Sequence, residues 1–170
     1  MAQVEHPIAD RRFLAVQVLT LSRIPLAVLF ALLLVNLEWG LGSFLICFVL
    51  LLAIELTDLL DGIVARRLGL VTEWGAMLDP YADSTARLIV FWALASEHLV
   101  LGLVPLVMAL RDVSVAYCRI ILSRHGQSVS ARLSGKIKAV VQCAAAWTAL
   151  PGPYYYDLIG RWTIPALSWL

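Results

Sequence analysis

The chain has 170 residues, of which 61% are hydrophobic and 15% charged, and its mean hydropathy is +0.86. This composition is more apolar than that of an average soluble domain and is typical of a protein with several membrane-spanning segments. The net charge of +1 argues against a nucleic acid as the partner, because a domain that binds nucleic acid carries a clear basic excess.

Apolar stretches long enough to cross a bilayer, about 20 residues each, recur along the whole chain. Six helical segments are predicted within one domain over residues 1–170: Leu14–Leu37, Leu41–Leu60, Ala76–Leu94, Leu99–Leu122, Leu133–Leu150 and Tyr154–Leu170. A short interfacial helix is expected before them, from about Glu5 to Phe13, although Pro7 interrupts it. The predicted fold is therefore an all-α bundle of six transmembrane helices.

Basic residues are concentrated in alternate connections between these segments. One side of the membrane would carry Arg11, Arg12, Arg66, Arg67, Arg124, Arg132, Lys136 and Lys138. The connections on the other side, around Glu38–Gly40, Glu97–His98 and Pro151–Tyr156, contain no lysine or arginine. By the positive-inside rule, both termini should be cytoplasmic in a multi-pass protein of the cell membrane, the inner membrane of a bacterium.

The three cysteines are far apart in apolar segments and lack the paired spacing of a metal site. They are Cys47, Cys118 and Cys143. We expect them to be small core residues.

Four aspartates flank the short connection between the second and third segments. Asp58 and Asp61 are three residues apart, and Asp79 and Asp83 are four apart, so each pair shares one helix face. The two segments are expected to be antiparallel neighbours, which would bring the four carboxylates together at the cytoplasmic end. At the bilayer centre each carboxylate would cost about 2.5–3.5 kcal/mol on insertion scales, so cations must compensate them.

Two kinds of cation satisfy this requirement. Carboxylate oxygens are ligands that suit Mg²⁺ or Mn²⁺, and a pair of such ions stabilises the attacking and leaving oxygens in phosphoryl chemistry. The alternative is an ion-pair network with Arg66, Arg67 and Arg87, because charges buried in membranes often pair with one another.

The stretch from Thr57 to Asp83 contains D-x-x-D-G-x-x-A-R followed by G-x-x-x-D-x-x-x-D. It resembles the signature of the CDP-alcohol phosphatidyltransferase family, whose fixed letters fall on Asp58, Asp61, Gly62, Ala65, Arg66, Gly75, Asp79 and Asp83. The resemblance implies a six-helix membrane fold, usually a homodimer, that transfers a phosphatidyl group from CDP-diacylglycerol to a small alcohol and releases CMP. It also implies two Mg²⁺ or Mn²⁺ ions held by Asp58, Asp61 and Asp79, with Asp83 contributing to the metal site and acting as the base.

The same resemblance assigns a set of contacts to CDP-diacylglycerol: Gln17, Thr20, Asp58, Asp61, Gly62, Ala65, Arg66, Thr72 and Gly75. The small residues let the nucleotide approach the backbone closely, and the charge of Arg66 can pair with the diphosphate. The run Q-V-L-T-L-S-R, residues 17–23, is similar to the family's first-helix motif N-x-L-T-x-x-R. Gln17 replaces the asparagine, whereas Thr20 and Arg23 are retained.

The acceptor alcohol is expected to bind near cations of the fourth and fifth segments, Arg111, Arg119, Lys136 and Lys138, although positive-inside topology also explains such residues. The pattern G-K-x-K-x-x-x-Q over residues 135–142 and L-D-P-x-A-D over residues 78–83 look like phosphatidylglycerophosphate synthases. Ser84 and Ala139 depart from that subgroup, which usually has lysine and threonine there. Glycerol 3-phosphate is the leading acceptor, with inositol phosphate or another polar alcohol as alternatives.

Two other functions compete with the enzyme hypothesis. A transporter or channel also places acidic residues within helices, but it spreads them along a path, whereas these cluster at one end. A non-enzymatic assembly protein of the same family is the other alternative. Retention of all the signature aspartates favours the enzyme.

Overall fold

The structure is a computed structural model that describes residues 11–67, 73–124 and 133–154. Within them, five long helices and no strand are present: α1 Arg11–Asn36, α2 Leu41–Arg67, α3 Glu73–Ser96, α4 Leu103–Arg124 and α5 Leu133–Ala149. The all-α prediction is confirmed, and the five helices coincide with the first five predicted segments. The predicted sixth segment beyond Tyr154 and the interfacial helix before residue 11 lie outside the described residues.

Helices α1 and α2 are long and apolar enough to cross a membrane. Residues Leu14–Asn36 have a mean hydropathy of 2.4, and residues Leu41–Val64 have 2.3. At 1.5 Å per residue, each stretch spans about 35 Å, which exceeds the hydrocarbon thickness of a bilayer. Much of α2 faces outward, and Leu45 and Val49 are among its exposed apolar side chains. Such a surface suits lipid better than water.

The order of packing places α1 between α2 and α3. Helix α1 contacts both of them extensively, while α3 also contacts α4 and α5. Buried residues recur on the facing sides at helical spacing: Ala27, Phe30 and Leu34 of α1, Leu51 and Ile54 of α2, and Ala86, Val90 and Leu94 of α3. Helices α2 and α3 meet through their side chains, since Arg87 of α3 lies 3.9 Å from Glu55 and Asp58 of α2, while α1 packs extensively against both helices.

The end of α3 is defined by a tight backbone turn. His98 has a φ of 58°, the left-handed conformation that ends many helices. The His98 amide donates to the Ala95 carbonyl at 3.1 Å, and the Leu99 amide donates to the Leu94 carbonyl at 2.9 Å. Together these bonds form a Schellman motif, which satisfies the last carbonyls of α3 and lets the chain reverse into α4.

The cysteines differ in their environment. Cys47 is buried in the core, as predicted, and Cys143 is half-buried. Cys118 is exposed, so the core prediction is wrong for that residue. It lies on a part of α4 whose apolar side chains, such as Tyr117 and Ile121, also face outward.

Candidate active site

A polar stripe on α1 faces the interior of the bundle. Gln17, Thr20 and Arg23 are buried and follow one another at intervals of three residues, which places them along one side of the helix. Arg23 is 1% exposed. Helix α1 packs against both α2 and α3. The stripe therefore lies beside the parts of α2 and α3 that carry the aspartates, and Arg23 contacts them directly.

The guanidinium of Arg23 joins the aspartates of α2 and α3. Its Nη1 donates to Oδ1 of Asp58 at 2.6 Å, and its Nη2 donates to Oδ2 of Asp61. The same Nη2 is 3.4 Å from Oδ1 of Asp79 on α3. A single arginine thus compensates three carboxylates, and its planar fork fixes how they face one another.

The three carboxylates form a donor set that fits a divalent metal. One oxygen from each of Asp58, Asp61 and Asp79 lies within 4.8 Å of the other two. Oxygens bound to one Mg²⁺ at about 2.1 Å lie at most about twice that distance apart, so only small adjustments would complete a shared site. Asp61 is buried, whereas the Asp79 side chain is 58% exposed, which leaves one side of the group open to a ligand.

Asp83 lies apart from this group of three and is held by a second arginine. Its Oδ1 accepts a bond from Nε of Arg87 at 2.6 Å, one helical turn further along α3. Nη2 of Arg87 is 3.9 Å from Oδ2 of Asp58, so the two halves of the acidic region remain in contact. The structure therefore brings three of the predicted aspartates together and places the fourth beside them.

Cations compensate the acidic region only in part. It contains the carboxylates of Glu55, Asp58, Asp61, Asp79 and Asp83 and the guanidinium groups of Arg23 and Arg87. Among the described side chains of this region, five negative and two positive charges leave a formal charge of −3 when all are ionised. Additional cations are therefore favoured at this site.

The predicted ion-pair network exists, but with different members. Arg87 takes part, as the sequence suggested, and Arg23 supplies the second cation. Arg67 is exposed at the end of α2. The backbone of Arg66 belongs to the same helical turn, and its side chain lies outside what the structure describes. The ion pairs and the group of three carboxylates that could hold a metal thus occur in one site, so the two alternatives do not exclude each other.

Besides Asp58 and Asp61, the residues predicted to contact CDP-diacylglycerol that the structure describes lie on three helices. Gln17 and Thr20 are buried on α1, where the Thr20 hydroxyl donates to the Val16 carbonyl at 3.1 Å. The buried Oε1 of Gln17 has no hydrogen-bond partner within the described residues, so it is available to a ligand. The half-buried glycines are Gly62 on α2 and Gly75 on α3.

Three of the predicted nucleotide contacts, Ala65, Arg66 and Thr72, are described less completely. The backbone of Ala65 lies in the last turns of α2, without a described side chain. Thr72 falls in the α2–α3 connection, outside the described residues. Their assignment to CDP-diacylglycerol stays a prediction.

The cations predicted to bind the acceptor are partly assembled around Asp112. Nζ of Lys138 donates to both carboxylate oxygens of Asp112, at 2.6 and 2.8 Å, and Nη1 of Arg111 donates to Oδ1 at 2.7 Å. Arg119 is exposed two turns further along α4. Lys136 lies in the first turn of α5, and its side chain is outside the description. Arg111 and Lys138 are thus brought together at one carboxylate, and their binding of the acceptor stays a prediction.

Sequence reasoning missed three parts of this site. Arg23 was recognised only as a motif residue, Glu55 was not singled out, and no role was assigned to Asp112. Glu55 precedes Asp58 by three residues, a spacing that places both on one face of α2. Asp112 follows Arg111 directly, but its bond with Lys138 joins different helices and has no signal in the local sequence.

Comparison with known proteins identifies the family. The sequence profile of the CDP-alcohol phosphatidyltransferases matches residues 13–169, which is most of the chain. The chain belongs to the CDP-alcohol phosphatidyltransferase family. This result confirms the family resemblance, and together with the apolar helices α1 and α2 it indicates a membrane protein.

Three similar proteins carry the name CDP-diacylglycerol–glycerol-3-phosphate 3-phosphatidyltransferase. The Bacillus subtilis protein is 32% identical over 111 residues, 65% of this chain and 58% of the relative. The Treponema pallidum protein is 29% identical over 113 residues, 65% of this chain and 52% of the relative. The match thus spans little more than half the length of these two. A protein from Wigglesworthia glossinidia brevipalpis is 31% identical over 145 residues, 83% of this chain and 79% of the relative.

Replacement of Arg23 by glutamine should destabilise the metal-free protein. The change leaves three carboxylates without their shared cation, and loss of one partner of a buried ion pair costs about 3–5 kcal/mol. Thermal unfolding in detergent with EDTA should show a lower Tm than the unaltered chain, and Mg²⁺ should raise the Tm of the variant more. The matched control is Arg67→Gln, which removes an exposed arginine from α2 and should leave the Tm unchanged. Equal stability of Arg23→Gln and the control would contradict the compensating role of Arg23.

Proposed function

We propose that this chain transfers a phosphatidyl group from CDP-diacylglycerol to glycerol 3-phosphate and releases CMP. The observation that carries the proposal is the convergence of Asp58, Asp61 and Asp79, from two helices, into a group of oxygens within 4.8 Å of one another. Family membership supports a CDP-linked lipid as donor. The names of the relatives from B. subtilis and T. pallidum support glycerol 3-phosphate as acceptor.

Two Mg²⁺ or Mn²⁺ ions are proposed as cofactors. The ligands would be Asp58, Asp61 and Asp79, with Asp83 at the edge of the site. When bound, such ions stabilise negative charge on the attacking and leaving oxygens of a phosphoryl transfer. The formal charge of −3 on the acidic region and its open side at Asp79 support this assignment.

The proposed reaction is a substitution at the phosphorus that carries diacylglycerol. The hydroxyl oxygen of the acceptor forms a new bond to this phosphorus, the bond to the CMP oxygen breaks, and CMP leaves with the electron pair. Asp83 takes the hydroxyl proton as the oxygen attacks. Its Oδ1 is engaged by Arg87, and its side chain is 29% exposed, which supports access of the acceptor to the carboxylate.

Binding of both substrates is assigned to residues that surround the aspartates. Gln17 and Thr20 on α1 and the turns that contain Gly62 and Gly75 would hold the nucleotide, with Ala65, Arg66 and Thr72 nearby in the sequence. Arg111 and Lys138 would bind the phosphate of the acceptor, as would Arg119 and Lys136 if they lie within reach. The contacts of Arg111 and Lys138 with Asp112 support this assignment, because an aspartate can hold two cations in place for an incoming anion.

The active site is proposed to face the cytoplasm, with both termini on that side and the chain paired as a homodimer. The distribution of lysine and arginine between alternate connections supports the orientation. It also places the aspartates at the side from which water-soluble acceptor and CMP would exchange.

The transfer itself can be tested with purified protein in detergent. CDP-diacylglycerol with glycerol 3-phosphate and Mg²⁺ should give CMP and a product with the mass of phosphatidylglycerophosphate. EDTA should abolish the reaction, and Mg²⁺ or Mn²⁺ should restore it. An Asp61→Asn chain purified in parallel corrects for contaminating activity.

The same assay separates the competing functions. If lipid product forms with inositol phosphate or another polar alcohol and not with glycerol 3-phosphate, the proposed reaction type stands and the proposed acceptor is wrong. A folded chain that releases no CMP with any acceptor would reject the enzyme and favour a transporter or an assembly protein. Full activity in EDTA would reject the metal site.

Substitution of individual aspartates should separate base from ligands. Asp83→Asn removes the proton acceptor and preserves size, so kcat should fall by about 10²–10⁴-fold while Mn²⁺ binding persists. Asp79→Asn should weaken Mn²⁺ binding, since Asp79 belongs to the group of three. Electron paramagnetic resonance of Mn²⁺ and single-turnover rates provide the two measurements. Near-normal turnover in Asp83→Asn would reject this residue as the base.

Orientation can be tested with single cysteines on opposite connections. In a chain whose three cysteines are replaced by alanine, Gly69→Cys should react with an impermeant maleimide only from the cytoplasmic side. The matched control is Gly102→Cys, which should react only from the other side. No atom lies within 4 Å of a Cβ added at Gly102, so the control substitution fits the structure. The reverse labelling pattern would invert the proposed topology.

A further inference from the structure

Arg87 connects three helices through one buried guanidinium. It belongs to α3, and its side chain is 11% exposed. Nε donates to Oδ1 of Asp83 at 2.6 Å, while Nη1 donates to the Ala139 carbonyl of α5 at 3.1 Å. On the α2 side, the guanidinium is 3.9 Å from both Glu55 and Asp58. No other residue of the proposed site contributes bonds that join Asp83 to α5 within the described residues.

The bond from Nε restrains the Asp83 carboxylate. A charge-assisted bond to a planar guanidinium fixes both the position and the plane of the carboxylate. Because Nε engages Oδ1, the carboxylate keeps Oδ2 for another partner. A base must have one oxygen within about 2.6–3.2 Å of the proton that it abstracts, so this restraint bears directly on proton transfer.

The bond to the Ala139 carbonyl extends the restraint to the acceptor side. Ala139 follows Lys138, whose ammonium binds both oxygens of Asp112 on α4. A continuous series of contacts therefore runs from Asp83 through Arg87 and α5 to the Lys138–Asp112 pair. Arg87 therefore links the proposed base to the helix that carries Lys138, one of the cations proposed to hold the acceptor.

We propose that Arg87 is a positioning residue that fixes Asp83 relative to α5, and so places the base against the hydroxyl of the bound acceptor. The inference rests on the proposed function and adds a residue that acts through Asp83. This role requires an arginine, because its guanidinium binds Asp83 through Nε and the Ala139 carbonyl through Nη1 in a fixed geometry. A lysine has only one nitrogen and cannot reproduce both bonds in this way.

The test compares Arg87→Lys and Arg87→Gln with the control Arg67→Gln. Both Arg87 variants should lower kcat, Arg87→Gln by about 10–100-fold, the usual loss when a supporting partner of a metal-site ligand is removed. Arg87→Lys retains the charge and should lose less. KM for CDP-diacylglycerol should stay within about twofold of the unaltered chain. Mn²⁺ affinity, measured by electron paramagnetic resonance, should not fall, because loss of the Arg87 charge leaves the acidic region more negative. Arg67→Gln should match the unaltered chain in every measurement.

A double-substitution cycle distinguishes positioning from a general structural role. If Arg87 acts through Asp83, adding Arg87→Gln to Asp83→Asn should reduce the residual rate by less than about twofold, because the two changes affect one step. A loss of 10-fold or more in that background, or a parallel loss of Mn²⁺ affinity, would overturn the proposal. If Arg87→Gln does not fold, Arg87→Lys with and without Asp83→Asn completes the same cycle.

The outcomes separate this inference from the proposed function. An unaltered chain that transfers phosphatidyl groups, beside Arg87 variants with the same kcat, would reject the role of Arg87 and leave the function standing. An unaltered chain that is folded, binds Mn²⁺ and releases no CMP would reject the proposed function, and with it the reaction that Arg87 would serve.

Discussion

The bond network of Arg23 is the interaction on which the architecture of the site depends. Carboxylates at membrane depth are tolerated only when cations oppose them, and Asp58, Asp61 and Asp79 share this one guanidinium. Arg23 reaches all three because α1 lies between the helices that carry them. The position of α1 is therefore a requirement of charge compensation as well as of apolar packing.

A second arginine divides the acidic region into two parts with different surroundings. The part around Arg23 opens at Asp79, whose side chain is more than half exposed, and provides oxygens for a metal. The part around Arg87 is more enclosed and is bonded to α5. The proposed metal binding and proton transfer would thus fall on neighbouring carboxylates that are restrained by different cations. Such a division lets one acidic region serve two chemical roles.

The local pattern of the sequence predicted the helices and the acidic residues well. Apolar segments of about 20 residues are visible in composition alone, and the described helices coincide with five of them. The spacing of Asp58 and Asp61 along α2 determines a shared face wherever the helix packs. Packing partners were predicted less well. The extensive packing of α1 against both α2 and α3 was not predicted, and Cys118 lies outside the core.

The sequence by itself determined the helical, strongly apolar character of the chain, its family and the aspartates proposed to carry its chemistry, because these follow from local composition and short spacings. Only the tertiary structure decided which cations meet those aspartates. Arg23 is 35 residues from Asp58 and 56 from Asp79, and Arg87 is 52 from Ala139. Pairings over such separations depend on which helices pack together, and helical periodicity contains no information about that choice.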